Sequence, residues 1–247
     1  MPRLPRLGLS PAPAGVVTAD LEAALRQARC PCCRTARLSE ERRIWSFLYE
    51  LTSDMPSRQL FDRSLGWCAG HARLAQAVAS RQDMVSGATI ACLYETVVME
   101  YLDRMESSTE TRRPSRFSRT RDRSPFRPGS PCPICTGDAD RQRTNAHALA
   151  AMLEDAGCRI QYVKSDGLCI PHFWNVLALA EPATANFLNN DHRARMEKLR
   201  DNLYGLQHKQ NYDVAEPTTE EEDASWVEAL WRFTGVAWNA LLVERRR

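Results

Sequence analysis

Apolar residues recur along most of the chain at the three- and four-residue spacing of an amphipathic helix. The clearest stripe lies within residues 88–105, at Ile90, Leu93, Tyr94, Val97, Val98, Tyr101, Leu102 and Met105. This spacing predicts a helix with one wide apolar face. The same pattern predicts helices over residues 42–53, 68–80, 137–156, 169–180 and 184–207.

The alternating pattern typical of β-strands is nearly absent, so the sequence predicts an all-α fold. Residues 159–163 are the one stretch that we expect to be extended, leading into a turn at Ser165. A last helix is predicted after the acidic run 220–223, because negative charge complements a helix N-terminus. Its tryptophans, at positions 226, 231 and 238, cannot all face one side. We expect them to close over the helical core rather than to form an exposed partner-binding face.

Composition places the chain among ordinary globular proteins. It has 247 residues, of which 43% are hydrophobic and 26% charged, with a net charge of +2. No apolar run reaches the ~20 residues of a membrane span. Residues 1–16 lack the apolar core of a secretory signal and are expected to be disordered. These features predict a cytoplasmic protein without membrane association.

Six of the nine cysteines fall into a pattern that occurs twice. Residues 30–33 read C-P-C-C and the segment 64–71 reads S-L-G-W-C-A-G-H, with 34 residues between Cys33 and Cys68. Residues 132–135 read C-P-I-C and the segment 165–172 reads S-D-G-L-C-I-P-H, with 33 residues between Cys135 and Cys169. Two copies in nearly the same register indicate an internal duplication.

Cysteine pairs and a Cys-x-x-His in this arrangement are typical of tetrahedral zinc sites. A Cys and a His three residues apart share one face when they open a helix. The sequence therefore predicts two zinc ions in Cys₃His sites, each built within one copy of the pattern. The first set is Cys30, Cys33, Cys68 and His71, and the second is Cys132, Cys135, Cys169 and His172.

Other readings of the cysteines stay open. The same residues could bind an iron–sulfur cluster, although ligation by cysteine alone is the norm there, or they could be buried thiols of a helical core. Cys32 could replace Cys33 as a ligand or remain a reactive thiol, but we expect a bystander. Cys92 and Cys158 are expected to be core or surface thiols, and His192 a core histidine.

The duplicated pattern divides the chain into segments. We expect a first metal-binding helical half at 17–106, a second at 132–208 and a C-terminal segment with an aromatic helix at 209–247. Both halves should form the same helical unit, with helix 88–105 corresponding to helix 184–207. Between the halves, residues 107–131 contain seven arginines and repeated Ser and Pro, which is typical of a linker.

At these motifs the chain resembles a bacterial and archaeal family of unknown function. Its members carry C-P-x-C, then G-F-C-x-x-H, a second C-x-x-C, and finally G-[FL]-C-x-P-H-F. Here the segments 66–71 and 167–173 match the second and fourth motifs, with Trp67 in place of the usual Phe. Residues 209–213 are similar to the family's K-x-D-Y stretch, with Asn211 in place of Asp. The resemblance covers residues 20–240 and implies the duplicated cysteine–histidine architecture, but no activity.

These observations favour a non-catalytic interaction or scaffold module with two structural zinc sites and a protein partner. Four protein ligands at each site would leave no position for substrate. The first alternative is a redox, iron–sulfur or metal-handling protein that uses the same cysteines. The second is nucleic-acid binding through the Arg-rich linker, which is not favoured because such segments are more often solvated spacers.

Overall fold

The computed structural model describes residues 14–81, 85–110, 128–211 and 214–235. In these ranges the chain forms ten helices and no strand, so the predicted all-α fold is confirmed. The helices are α1 (Ala14–Leu25), α2 (Pro31–Tyr49), α3 (Met55–Arg63), α4 (Ala69–Ala79), α5 (Gly87–Glu110), α6 (Asp138–Met152), α7 (Ala156–Lys164), α8 (Ile170–Leu177), α9 (Pro182–His208) and α10 (Glu220–Thr234).

Helices α4, α5, α8 and α9 begin within two residues of their predicted positions. Helix α2 begins eleven residues earlier than the expected position 42, inside the first C-P-x-C motif. Pro31 suits this start, because the first residue of a helix needs no backbone N–H donor. Helices α1 and α3 were not predicted. Residues 14–16, expected to be disordered, begin α1, and residues 1–13 lie outside the described ranges.

The expectation of an extended stretch at 159–163 is wrong, because these residues belong to α7. Asp155 caps this helix by accepting a hydrogen bond from the backbone N–H of Cys158 at 2.9 Å. The apolar residues in α7 alternate in sequence, but only Tyr162 is buried, whereas Ile160 and Val163 are more than half exposed. The sequence pattern of this exposed helical face, with its β-branched residues, therefore resembles the pattern of a strand.

The described chain divides into two compact units that do not follow the order of the sequence. Unit 1 consists of its residues within 38–138, and unit 2 of residues 14–37 together with those from 139 to 235. Helix α2 therefore contributes its first turns to unit 2 and the rest to unit 1. Each unit has its own hydrophobic core.

Three aromatic side chains pack against one another in the core of unit 1. The ring of Phe61 packs edge-on against Trp67, with centroids 4.9 Å apart, and also packs against Phe47, with centroids 5.4 Å apart.

In unit 2, Trp231 of α10 is buried, whereas Trp226 of the same helix is 53% exposed. The third tryptophan of this segment, at position 238, lies outside the described residues.

Within the described ranges, no helix combines the length and the apolar character that crossing a membrane requires.

Matching hydrogen bonds lie before the Cys-x-x-His segment of each unit. In unit 1, Asp54 caps α3 and the hydroxyl of Ser64 donates to the carbonyl oxygen of Phe61 at 2.8 Å. In unit 2, Asp155 caps α7 and the hydroxyl of Ser165 donates to the carbonyl oxygen of Tyr162 at 2.7 Å. Both units thus build the turn before the cysteine with the same local bonds.

A glycine in this turn also makes the same kind of contact in both units. Gly66 and Gly167 have φ values of +84° and +72°, which L side chains rarely adopt. A Cβ atom on Gly66 would lie 2.8 Å from the hydroxyl of Tyr94, and one on Gly167 would lie 2.9 Å from Nε of Arg195. Tyr94 and Arg195 each follow their glycine by 28 residues. In each unit the turn thus passes directly beneath a long side chain, that of Tyr94 from α5 in unit 1 and that of Arg195 from α9 in unit 2.

Substituting Gly66→Ala should destabilise unit 1 by about 1–3 kcal/mol, because the new Cβ is strained and clashes with Tyr94. Thermal or urea unfolding measures this change. Gly87→Ala at the start of α5, where a Cβ would meet no neighbour, is the control and should stay within about 0.5 kcal/mol of the parent. Equal stability of the two variants would contradict the prediction.

Candidate metal centres

The eight cysteine and histidine residues of the duplicated pattern come together in two groups. Site A contains Cys30, Cys33, Cys169 and His172, all in unit 2. Site B contains Cys68, His71, Cys132 and Cys135, all in unit 1. In each site, one side-chain atom from every residue lies within 4.8 Å of the others.

This grouping corrects the predicted partition of the ligands. The sequence led us to expect the first C-P-x-C to join the first Cys-x-x-His, and the second to join the second. The structure exchanges the partners: the first C-P-x-C meets the second Cys-x-x-His, and the second meets the first. Because both copies carry the same motifs at nearly the same spacing, the spacing is compatible with either arrangement.

The course of α2 gives the physical reason for the exchange. This helix begins at Pro31, directly after the first ligand of site A, and runs for 19 residues. At 1.5 Å per residue it carries the chain about 28 Å from that ligand. The next Cys-x-x-His therefore follows a helix that has already carried the chain away from site A.

In site A, two helix starts meet. Cys30 precedes α2 and Cys33 lies in its first turn, while Cys169 is the N-cap residue of α8 and His172 lies in the first turn of that helix. The Nδ1 atom of His172 is 3.6, 3.3 and 3.1 Å from the sulfurs of Cys30, Cys33 and Cys169. The sulfurs of Cys33 and Cys169 are 3.8 Å apart.

Site B repeats this geometry. Cys68 is the N-cap residue of α4, and His71 lies in the first turn of that helix. Cys132 and Cys135 lie in the turn before α6. The Nδ1 atom of His71 is 3.2, 3.6 and 3.4 Å from the sulfurs of Cys68, Cys132 and Cys135. The sulfurs of Cys68 and Cys135 are 3.8 Å apart.

These distances suit one tetrahedral ion at each site. With metal–sulfur bonds of 2.3 Å and metal–nitrogen bonds near 2.0 Å, tetrahedral ligands lie about 3.8 Å apart when both are sulfur and about 3.5 Å apart when one is nitrogen. The 3.8 Å sulfur separations match the first value. The sulfur–nitrogen distances of 3.1–3.6 Å bracket the second. Both donor sets could therefore hold a metal ion.

The electrostatics of site B favour a bound cation. Burial opposes protonation of His71, but Cys132 and Glu40 raise its pKa to about 10. Burial likewise opposes ionisation of Cys132, but its hydrogen bond with His71 helps to lower its pKa to about 6. Burial and the negative charge on Cys132 raise the pKa of Cys135. A divalent cation would allow all of these sulfurs to ionise together.

Site A behaves in the same way. Although burial opposes ionisation of Cys30, hydrogen bonds with its neighbours, Cys169 foremost, lower its pKa well below the usual range. Hydrogen bonds with Cys169 and Cys30 raise the pKa of Cys33. Burial lowers the pKa of His172, but contacts with Cys169 and Cys30 raise it to about 10. A divalent cation at this site would take the place of the histidine's positive charge and allow Cys30 and Cys33 to ionise together.

A carboxylate lies behind the histidine of site B. Oε2 of Glu40 is 3.4 Å from Nε2 of His71, and both residues are buried. A carboxylate at the second ring nitrogen fixes the orientation of a metal-bound histidine and makes it more basic. Glu40 belongs to an ordinary charged stretch of α2, so no sequence motif identified it.

Arg43, also from α2, supports the C-P-x-C turn of the same site. Its guanidinium donates to the carbonyl oxygens of Pro133, Ile134 and Thr136 at 3.3–3.5 Å. Helix α2 thus contacts both ligand-bearing segments of site B, through Glu40 on one side and Arg43 on the other.

Helix α10 supports site A. The buried guanidinium of Arg232 donates to the carbonyl oxygens of Asp166 and Leu168, in the turn before Cys169. Gly235, which ends this helix, approaches the site so closely that a Cβ on it would lie 3.5 Å from the sulfur of Cys33. Neither contact could be predicted from the sequence, because the two residues are 60 or more positions from the Cys-x-x-His motif that they contact.

The remaining candidates lie outside both sites. Cys32 is buried in the core of unit 2, so the alternative in which it replaces Cys33 as a ligand is wrong. Cys158 is partly buried and Cys92 is exposed. His192 stacks on Phe173 with ring centroids 3.9 Å apart, as expected of a packing residue.

No protein-family model matches the chain, and comparisons with curated proteins and with solved structures give no match.

Paired substitutions distinguish the observed ligand sets from the predicted ones. Because Cys30 and Cys169 share site A, the double variant Cys30→Ser/Cys169→Ser should lose half of the metal that the purified chain carries. The double variant Cys30→Ser/Cys68→Ser affects both sites and should lose all of it. Elemental analysis of each protein measures the loss, and Cys92→Ser, outside both sites, is the control. The sequence-based pairing requires the reverse result for the two double variants.

Proposed function

We propose that this protein is a non-catalytic interaction or scaffold module whose two helical units are each held together by one structural Zn²⁺ ion. The observation that carries the proposal is the donor set of each site. Three cysteines and one histidine converge within 4.8 Å. An ion bound there has four protein ligands and no open position for water or substrate, which is the mark of a structural site.

The compactness of the sites favours zinc over an iron–sulfur cluster. A cluster places its ligands on different iron atoms, with sulfides between them, so its ligands must stand well apart. Four donor atoms within 4.8 Å surround space for one ion. A single iron ion is the competing metal for a site of this size. Its visible colour would distinguish an iron protein from a zinc protein.

We further propose that the two units derive from one duplicated helical element. Supporting this are the equal glycine contacts, Gly66 with Tyr94 and Gly167 with Arg195, each across 28 residues. In these contacts, α5 meets the first copy of the turn and α9 meets the second. This supports the proposed correspondence between the two helices. The family resemblance stated above accords with the same duplication.

A role in binding another protein is supported by the surface of α10. Trp226, Leu230 and Phe233 lie at i, i+4 and i+7 on this helix and are each more than half exposed. Large apolar side chains grouped on one exposed face are typical of interaction surfaces.

We propose the cytoplasm as the compartment, since Cys-rich metal sites in place of disulfides suit a reducing environment.

Metal analysis tests the central proposal. The purified protein should contain two equivalents of zinc, one per site, and show no absorption band in the visible. Chelation should then lower the midpoint of thermal unfolding, because binding free energy of a structural metal is folding free energy. A brown protein with iron would support the redox or iron–sulfur alternative, and a metal-free protein of unchanged stability would reject a structural metal altogether.

The carboxylate behind His71 gives a second test. Glu40→Gln should weaken zinc binding at site B by about 10- to 100-fold, the usual effect of losing an outer-shell partner. Site A, to which Glu40 does not belong, should be unaffected. Competition with a chromophoric chelator resolves the two affinities. Glu41→Gln is the matched control, since the adjacent Glu41 faces Arg81 at 3.9 Å and should leave both affinities unchanged.

A further inference from the structure

The two sites have the same donor atoms but differ in exposure. In site A, Cys30 and Cys169 are completely buried and Cys33 is partly buried, with the backbone of Gly235 close to its sulfur. In site B, Cys132 is buried, but Cys68 and Cys135 are exposed. An oxidant dissolved in water therefore reaches Cys68 and Cys135 more readily than the cysteines of site A, and reactivity of a thiolate follows its access to solvent.

The two exposed cysteines of site B are also neighbours. Their sulfurs are 3.8 Å apart, so an approach of about 1.8 Å forms a disulfide bond of normal length. Cys68 is the N-cap residue of α4, and Cys135 lies in the turn before α6. Neither residue lies inside a helix, so backbone adjustment at both ends need not break a helical turn.

We propose that Cys68 and Cys135 form an oxidation site through which a peroxide releases the zinc of site B while site A stays loaded. The inference rests on the proposed function, because it requires zinc at both sites. It adds to that function a regulated state in which unit 1 loses its metal and unit 2 keeps it.

The chemistry takes two steps. The thiolate of Cys68 attacks one peroxide oxygen, the O–O bond breaks, and the products are a sulfenic acid on Cys68 and a hydroxide, which the buffer protonates to water, as it does the second hydroxide below. The thiolate of Cys135 then attacks the Cys68 sulfur, an S–S bond forms, and the S–O bond breaks to release a second hydroxide. The two sulfurs lose two electrons in total, and hydrogen peroxide, the oxidant, is reduced to water.

Disulfide formation removes two of the four zinc ligands. Cys132 and His71 remain, and two ligands do not retain zinc against a chelator in solution. A dithiol reductant reverses the reaction by thiol–disulfide exchange, after which added zinc should bind again at the same site. The switch is therefore reversible as long as oxidation stops at the disulfide.

The test begins with elemental analysis of the reduced full-length protein, which must show two equivalents of zinc. Hydrogen peroxide is then added and zinc release is followed with a chromophoric chelator. We expect one equivalent to be released several-fold faster than the other. Peptide mapping by mass spectrometry after the fast phase should find a disulfide between Cys68 and Cys135, with Cys30, Cys33 and Cys169 still reduced.

Two variants sharpen the result. Cys68→His keeps four ligands but cannot form the disulfide, so it should abolish the fast phase. Cys92→Ser removes another exposed cysteine of unit 1 and should release zinc as the parent protein does. Wild-type disulfide mapping decides the question if Cys68→His does not fold.

The outcomes separate the two proposals. Two zinc ions released at the same rate, or a fast phase without the Cys68–Cys135 disulfide, would overturn the oxidation site and leave the structural zinc sites in place. A reduced protein that does not contain two zinc ions would overturn both. Loss of the fast phase in Cys92→Ser would assign the reactivity to Cys92 instead.

Discussion

The convergence of four ligands on one point is the constraint on which the rest of the architecture depends. In site A, Cys33 meets Cys169 across 136 positions, and in site B, Cys68 meets Cys135 across 67. Pairing within each copy would have closed loops of about 35 positions instead. Each doubling of a loop adds only about 0.6 kcal/mol of closure entropy, so the exchanged pairing costs about 1.2 kcal/mol in site A. A structural zinc ion contributes roughly 10–16 kcal/mol, so chain entropy does not decide the pairing.

The helix that follows each C-P-x-C motif bears on this pairing. The first motif opens α2, the second lies in the turn before α6, and each of these helices begins in one unit and ends in the other. Because the chain leaves each site in a helix, a return to the nearest Cys-x-x-His would require the connection after that helix to fold back along it. Helical structure directly after both motifs therefore favours the exchanged pairing.

The sequence predicted what depends on local spacing. The pattern of apolar residues located α5 and α9, and the all-α fold class followed from it. The sequence could not predict α7, because its exposed Ile160 and Val163 imitate the alternation of a strand. It also could not predict which motifs pair, since identical motifs at equal spacing carry no information about their partners.

Contacts between segments that are far apart in sequence could not be predicted either. Glu40 lies among charged residues on α2 and gains its role only because His71 is placed 3.4 Å away by a different helix. Arg232 and Gly235 contact site A only because α10 packs in unit 2. Such residues have ordinary sequence neighbours, and only the tertiary fold distinguishes them.

Two sites with the same donor atoms need not have the same properties, because the surroundings of a metal set its accessibility and the basicity of its ligands. In site A, Cys30 and Cys169 belong to the buried core of unit 2, and the backbone of Gly235 lies close to the sulfur of Cys33. Site B combines a buried histidine, held by Glu40, with an exposed Cys68. If both halves descend from one element, the ligands and the glycine turn were kept in each copy while the contacts around them diverged. In the oxidation that we propose, the metal that is kept and the metal that is released therefore belong to different units, because the exposed Cys68 lies in site B.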